Sequence, residues 1–117
     1  MDYVKLVKEL YQHVDNLDLN GLETLMAEDV HFRLGNFDSV NGVNDVLVAN
    51  KSFFGSIKGM RHTFDKFWVQ GSEVICNGSV DYIRLDGSGH SITFVTILKF
   101  NGQKISNYLV YADVSGL

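Results

Sequence analysis

The chain has 117 residues, 45% of them hydrophobic and 21% charged, which fits one globular domain over 1–117 and excludes a disordered segment. A net charge of −4, with ten Lys and Arg scattered along the sequence, excludes a nucleic-acid partner, because binding a phosphate backbone needs clustered cations. No apolar run approaches the ~20 residues that cross a bilayer, the N-terminus has no signal-peptide pattern, and Cys76 is the only cysteine, so a cytoplasmic location without membrane contact is expected.

From Tyr3 to Leu17 the residues Tyr3, Leu6, Val7, Leu10, Val14 and Leu17 recur at three- and four-residue steps, the stripe of an amphipathic helix. Asn20 followed by Glu23 reads as a capping box opening a second short helix over Leu22–Ala27. Val30, Phe32 and Leu34 then alternate with polar residues as a half-buried strand. A loop over Gly35–Gly42 leads to a third helix with Val43, Val46, Leu47, Asn50, Phe53, Phe54 and Ile57 on its inner side and Asn41 as its cap.

After Gly59 the period becomes two. Strands are expected at about 61–70, 74–85, 90–100 and 104–114, with turns at Gln70-Gly71-Ser72, Asp86 to Gly89 and Asn101-Gly102. Helices followed by a meander make an α+β fold. The strands over 90–100 and 104–114 are apolar on both faces, whereas three helices can cover only one. The outer sheet face is therefore expected to form a homodimer.

This organisation resembles the nuclear transport factor 2-like (ketosteroid isomerase-like) superfamily, and within it the SnoaL-like polyketide cyclase group. The likeness lies in Val14-Asp15 through Leu25-Met26-Ala27-Glu28-Asp29-Val30, in Val40-Asn41-Gly42-Val43, and in Gly102-Gln103-Lys104-Ile105 through Tyr108-Leu109-Val110-Tyr111-Ala112-Asp113, together with Phe53-Phe54 and Arg61-His62. The resemblance implies a cone: three helices in the concave face of a strongly curved, mainly antiparallel sheet, around a pocket for a small, largely apolar molecule. It does not fix the function, since this architecture hosts cyclases, isomerases, dehydratases, epoxide hydrolases and non-catalytic domains.

Three catalytic patterns of the superfamily map differently onto this chain. The ketosteroid isomerase roles fall on Leu34, Leu10 and Thr96, none of which suits that proton transfer, although Tyr11 lies beside Leu10. The limonene-epoxide hydrolase set falls on Asp81, Ser79 and Val110 and keeps one member of three. Resemblance to the scytalone dehydratase-like members implies a catalytic His62 oriented by Asp15, both present, while that family's second His falls near Arg84. A His bonded to a carboxylate has a fixed tautomer and takes a proton near neutral pH.

If Thr96 faces inward, so do Phe94 and Leu98, and the inward sets on neighbouring strands become Ser79, Asp81, Ile83 and Tyr108, Val110, Ala112; a one-residue shift instead places Asp81 outside and Tyr82 inside. An inward Asp81 would act as acid or base, and Tyr108 would donate its hydroxyl to a ligand. Trp68, Phe54, Leu34 and Val110 complete the expected wall. The four His residues show no metal-ligand spacing, and no phosphate loop or dinucleotide fingerprint occurs, so cofactor-free chemistry without a metal is expected. The leading reading is a cyclase, dehydratase or isomerase acting on an apolar carbonyl compound. The alternatives are a ligand carrier or sensor and a dimerising association domain.

Overall fold

In the computed structural model, which describes residues 1–117, the first helical stripe becomes α1 (Tyr3–Asp15). It buries Val7, Leu10, Tyr11 and Val14, and Asp2 caps its start by accepting from the Lys5 N–H. Leu17, at φ 53°, reverses the chain into α2 (Leu19–Leu25). The cap of α2 is Asp18, which accepts from the Gly21 N–H, and not the expected Asn20, which lies inside the helix. Two good caps stand two residues apart here, and the turn at Leu17 selects the earlier one.

Strand β1 (Met26–Leu34) follows directly, and a short β2 (Val40–Asn41) pairs with it antiparallel. Helix α3 (Val43–Gly55) starts at Gly42 without a side-chain cap. Asn41, expected there, lies in β2, and its side chain bonds His31 Nδ1 at 2.7 Å. The meander is β3 (Ile57–Gln70), β4 (Glu73–Arg84), β5 (Gly89–Asn101) and β6 (Lys104–Tyr111). The six strands run in the order β2-β1-β6-β5-β4-β3, all antiparallel except the β1–β6 pair. The curled sheet holds the helices on its concave side, over a contiguous apolar core that includes Leu10, Leu22, Val46, Val80, Leu98 and Ile105. The fold is α+β and nuclear transport factor 2-like. No helix is long and apolar enough to cross a membrane.

Two features of register decide which side chains reach the interior. First, β4 and β5 pair so that Cys76 stands opposite Thr96 and Gly78 opposite Phe94. Val74, Cys76, Val80 and Tyr82 therefore share the inner face, while Ser79, Asp81 and Ile83 point outward. This corrects the expected inward Asp81: it is exposed, stands opposite Ser91 and accepts a 2.6 Å hydrogen bond from the Ser91 hydroxyl.

Second, β3 contains a bulge between Phe64 and Lys66. Counting by two from the inward His62 carries Trp68 into the core, but the extra residue reverses the alternation, so Phe67 packs against the core and Trp68 leaves it. Trp68 is not pocket wall. It is 42% exposed on the convex face, with the Lys66 ammonium 4.6 Å from its ring centre. Gly78 lies opposite Phe64 at this bend, where a Cβ would collide with the Thr63 carbonyl.

Candidate functional site

Asp15 is the last residue of α1, and His62 lies near the start of β3. A carboxylate at a helix C-terminus faces the negative end of the helix dipole, at a cost of about 0.3–1 kcal/mol. Here both its oxygens are engaged by one residue. The His62 ring Nδ1–H donates to Oδ1 at 2.6 Å and the His62 backbone N–H donates to Oδ2 at 3.0 Å. A carboxylate only accepts, so Nδ1 carries a proton, and Nε2, which has no partner in the protein, holds a lone pair when the ring is neutral.

Aromatic rings hold the imidazole in place. Tyr11 lies 4.4 Å from its centre and Phe94 meets it edge-on at 5.1 Å. The His62 side chain is 6% exposed and that of Asp15 25%. Behind the ring, the Tyr11 hydroxyl and Thr96 Oγ1 are 2.5 Å apart in the core. Burial drives the Tyr11 and Tyr108 hydroxyls well above their ordinary range, and it pushes the Cys76 thiol up to about 12.

His62 opens onto an inner space of about 30 Å³, room for a water or a group of one or two atoms. Leu34, Phe54, Tyr108 and Val110 line it, as do Asn50 and Tyr82, two residues absent from the expected set. Asn50 donates from Nδ2 to the Val46 carbonyl at 2.9 Å, which leaves its Oδ1 as an acceptor without a protein partner. Tyr82 sits 4% exposed. Burial and the nearby Asp15 charge raise its hydroxyl to about 12, so it is a donor and not a base. The apolar alternation Val74, Cys76, Val80, Tyr82 was the signal for it.

Phe32, Leu34 and Phe53 also line an outer chamber of about 280 Å³, with Phe37 and Ala49 as further apolar wall and Asp38, Ser52 and Ser56 at its polar edge. Of the expected site residues, Phe94 and Thr96 stand behind the imidazole as support, while Asp81 and Trp68 are on the opposite side of the sheet. The site joins a proton acceptor with a fixed tautomer to buried hydroxyl and amide groups in an apolar recess, an arrangement able to move a proton on a bound molecule. No group of three or more His, Cys, Asp or Glu side chains is placed to hold a metal ion.

A family model described as SnoaL-like domain matches residues 7–108. No curated protein matches the sequence at a significant level. Among solved structures, the chain is similar to a nuclear transport factor 2-like protein of unknown function from Burkholderia pseudomallei (19% identity, TM-score 0.88, 99% of this chain and 94% of that one). It is also similar to a candidate SnoaL-like polyketide cyclase from Jannaschia sp. (12%, 0.84, 97% and 86%) and to a limonene-epoxide-hydrolase-like epoxide hydrolase from M. tuberculosis (14%, 0.81, 95% and 82%). At these identities the likeness is one of fold.

Proposed function

The chain belongs to the SnoaL-like domain family, and from that membership we propose that it is a cofactor-independent enzyme acting on a small, mostly apolar carbonyl compound. The observation that carries this reading is the two-point clamp of Asp15 on His62 inside an apolar recess. His62 Nε2 takes a proton from the carbon next to the carbonyl. The electron pair of that C–H bond moves into the carbonyl system, and the negative charge settles on oxygen. The imidazolium keeps its Nδ1–H on Asp15 and returns the other proton to a second carbon, giving isomerisation, or to a departing oxygen, giving elimination; attack of the enolate carbon on a second carbonyl would give ring closure. Tyr108, Leu34, Phe54 and Val110 form the surrounding wall, and Phe94 and Thr96 hold the inner face behind it. Residues 1–117 act as one domain, in the reducing cytoplasm where a free Cys76 persists. The cyclase and epoxide hydrolase among the structural neighbours fit an apolar small-molecule ligand.

The test is deuterium uptake next to the carbonyl of small aryl ketones in D2O, followed by NMR. The protein should accelerate it, and His62→Gln should lower the rate about 10²-fold or more while the melting temperature stays within a few degrees. A variant that melts much lower yet exchanges normally would return His62 to a structural role.

A second reading is a carrier or sensor using the same recess without chemistry. The narrow space at His62, and the absence of the isomerase and epoxide hydrolase residue sets from it, favour that reading. Ketone binding without exchange would establish it. For assembly we propose a homodimer through the convex sheet face, where Trp68, Ile75, Val95 and Tyr111 are exposed.

A further inference from the structure

Tyr82 contributes a hydroxyl to the site that the protein itself leaves unused. Its ring packs edge-on against Phe53 at 6.1 Å, and no side chain or backbone group bonds its oxygen. It stands opposite Met60 on β3, two residues from His62, and both tyrosine and histidine face the inner space. The polar atoms there are complementary: Tyr82 offers a proton, while His62 Nε2 and Asn50 Oδ1 offer lone pairs.

The two chambers set the ligand's shape. The inner space of about 30 Å³ takes a tip of one or two heavy atoms, and the outer chamber of about 280 Å³ takes a body. Phe32, Phe37 and Phe53 give that chamber flat aromatic walls, which favour a planar unsaturated body. Ser52, Ser56 and Asp38 in its lining suit a hydroxyl on that body.

We propose that the site takes a flat, conjugated aldehyde or methyl ketone, carbonyl end first, with the Tyr82 hydroxyl donating to the carbonyl oxygen. This rests on the carbonyl reading above and adds the substrate's shape and the group that holds its oxygen. As charge gathers on that oxygen, the donor is already in place and the hydrogen bond strengthens. Because burial holds the hydroxyl protonated through the neutral range, it stabilises the oxygen without taking the proton that His62 removes.

The experiment uses two probes, 4-phenylbut-3-en-2-one, whose methyl can exchange protons, and its tert-butyl ketone analogue, which has no enolisable proton, with dissociation constants from calorimetry and the carbonyl stretch from Raman difference spectra. The methyl ketone should bind with its carbonyl stretch lowered, and the tert-butyl ketone should bind at least about tenfold more weakly. Tyr82→Phe removes only an oxygen with no protein partner, so the fold is kept. It should bind the methyl ketone about fivefold more weakly and lose the shift, whereas His62→Gln should keep both. A shift retained in Tyr82→Phe overturns the assignment, as does equal affinity for the two ketones. If His62→Gln leaves deuterium exchange unchanged while Tyr82→Phe loses the shift, the catalytic reading fails and Tyr82 stands. A protein that binds neither ketone overturns both.

Discussion

Asp15 binds His62 through two separate oxygens, across 47 residues of sequence, so helix α1 and strand β3 are joined at the imidazole that faces the inner space. A single hydrogen bond would let the imidazole swing about its bond to the carboxylate. The second, to the His62 main chain, fixes the backbone from which the ring projects.

Asp15→Asn tests this arrangement. An amide has one acceptor, so one of the two bonds is lost and the charge that steadies the imidazolium goes with it. Ketone exchange should fall about 10²-fold with probe affinity unchanged. The loss of stability should be small, because removing the charge relieves its unfavourable place at the end of α1. Weaker probe binding at an unchanged exchange rate would contradict this positioning role.

Tyr11 and Thr96 form the buried polar pair behind the ring. Tyr11→Phe removes the hydroxyl that lies 2.5 Å from Thr96 Oγ1 and should cost about 1–3 kcal/mol in urea unfolding. Adding Thr96→Val removes the other half of the pair, so the double variant should be more stable than the sum of the two single losses predicts, by about 1 kcal/mol. Strict additivity would show that the pair is not coupled.

Alkali should unfold the protein in a defined window. The folded chain holds the protons of Tyr11, Tyr82, Tyr108 and Cys76 above their ordinary values, while the unfolded chain releases them near 9 to 10. Above those values the unfolded state carries fewer protons, so stability falls as pH rises. It should be intact below about pH 9 and decline toward about 12, the value reached by Tyr82 and Cys76. Absorbance at 295 nm should show three of the five tyrosines ionising only together with the loss of near-ultraviolet circular dichroism. Their ionisation before unfolding would contradict their burial.

On the convex face, Trp68→Glu places a charge among Ile75 and Val95. Sedimentation at micromolar concentration should show a dimer for the natural chain and a monomer for the variant, with the circular dichroism spectrum unchanged. A natural chain that sediments as a monomer would overturn the dimer.

Much of this architecture is written in local periodicity. The helical stripe of α1, the alternation of β5 and the glycines of the hairpins each leave a signature within a dozen residues. Asp15 and His62 came from the family resemblance, since nothing in spacing alone ties residues 47 apart. Asp81 was misplaced because strand alternation fixes two faces without saying which is inner; the pairing of Cys76 with Thr96 decides that, and it is a tertiary fact. Trp68 was misplaced because a bulge has no periodic mark: one residue near Asp65 reverses every face beyond it. Tyr82 was hidden by the same choice of register that brought Asp81 inward.

The position of β6 has a consequence for how the chain is made. This last strand lies between β1 and β5, and it alone joins the first strand to the meander. Until residues 104–111 have left the ribosome, the nascent polypeptide holds two unjoined pieces with open hydrogen-bonding rims, a state exposed to misassociation. Synthesis must therefore run past residue 111 before the recess around His62 gains its Tyr108 wall, and a message truncated before that strand would yield a chain without that recess.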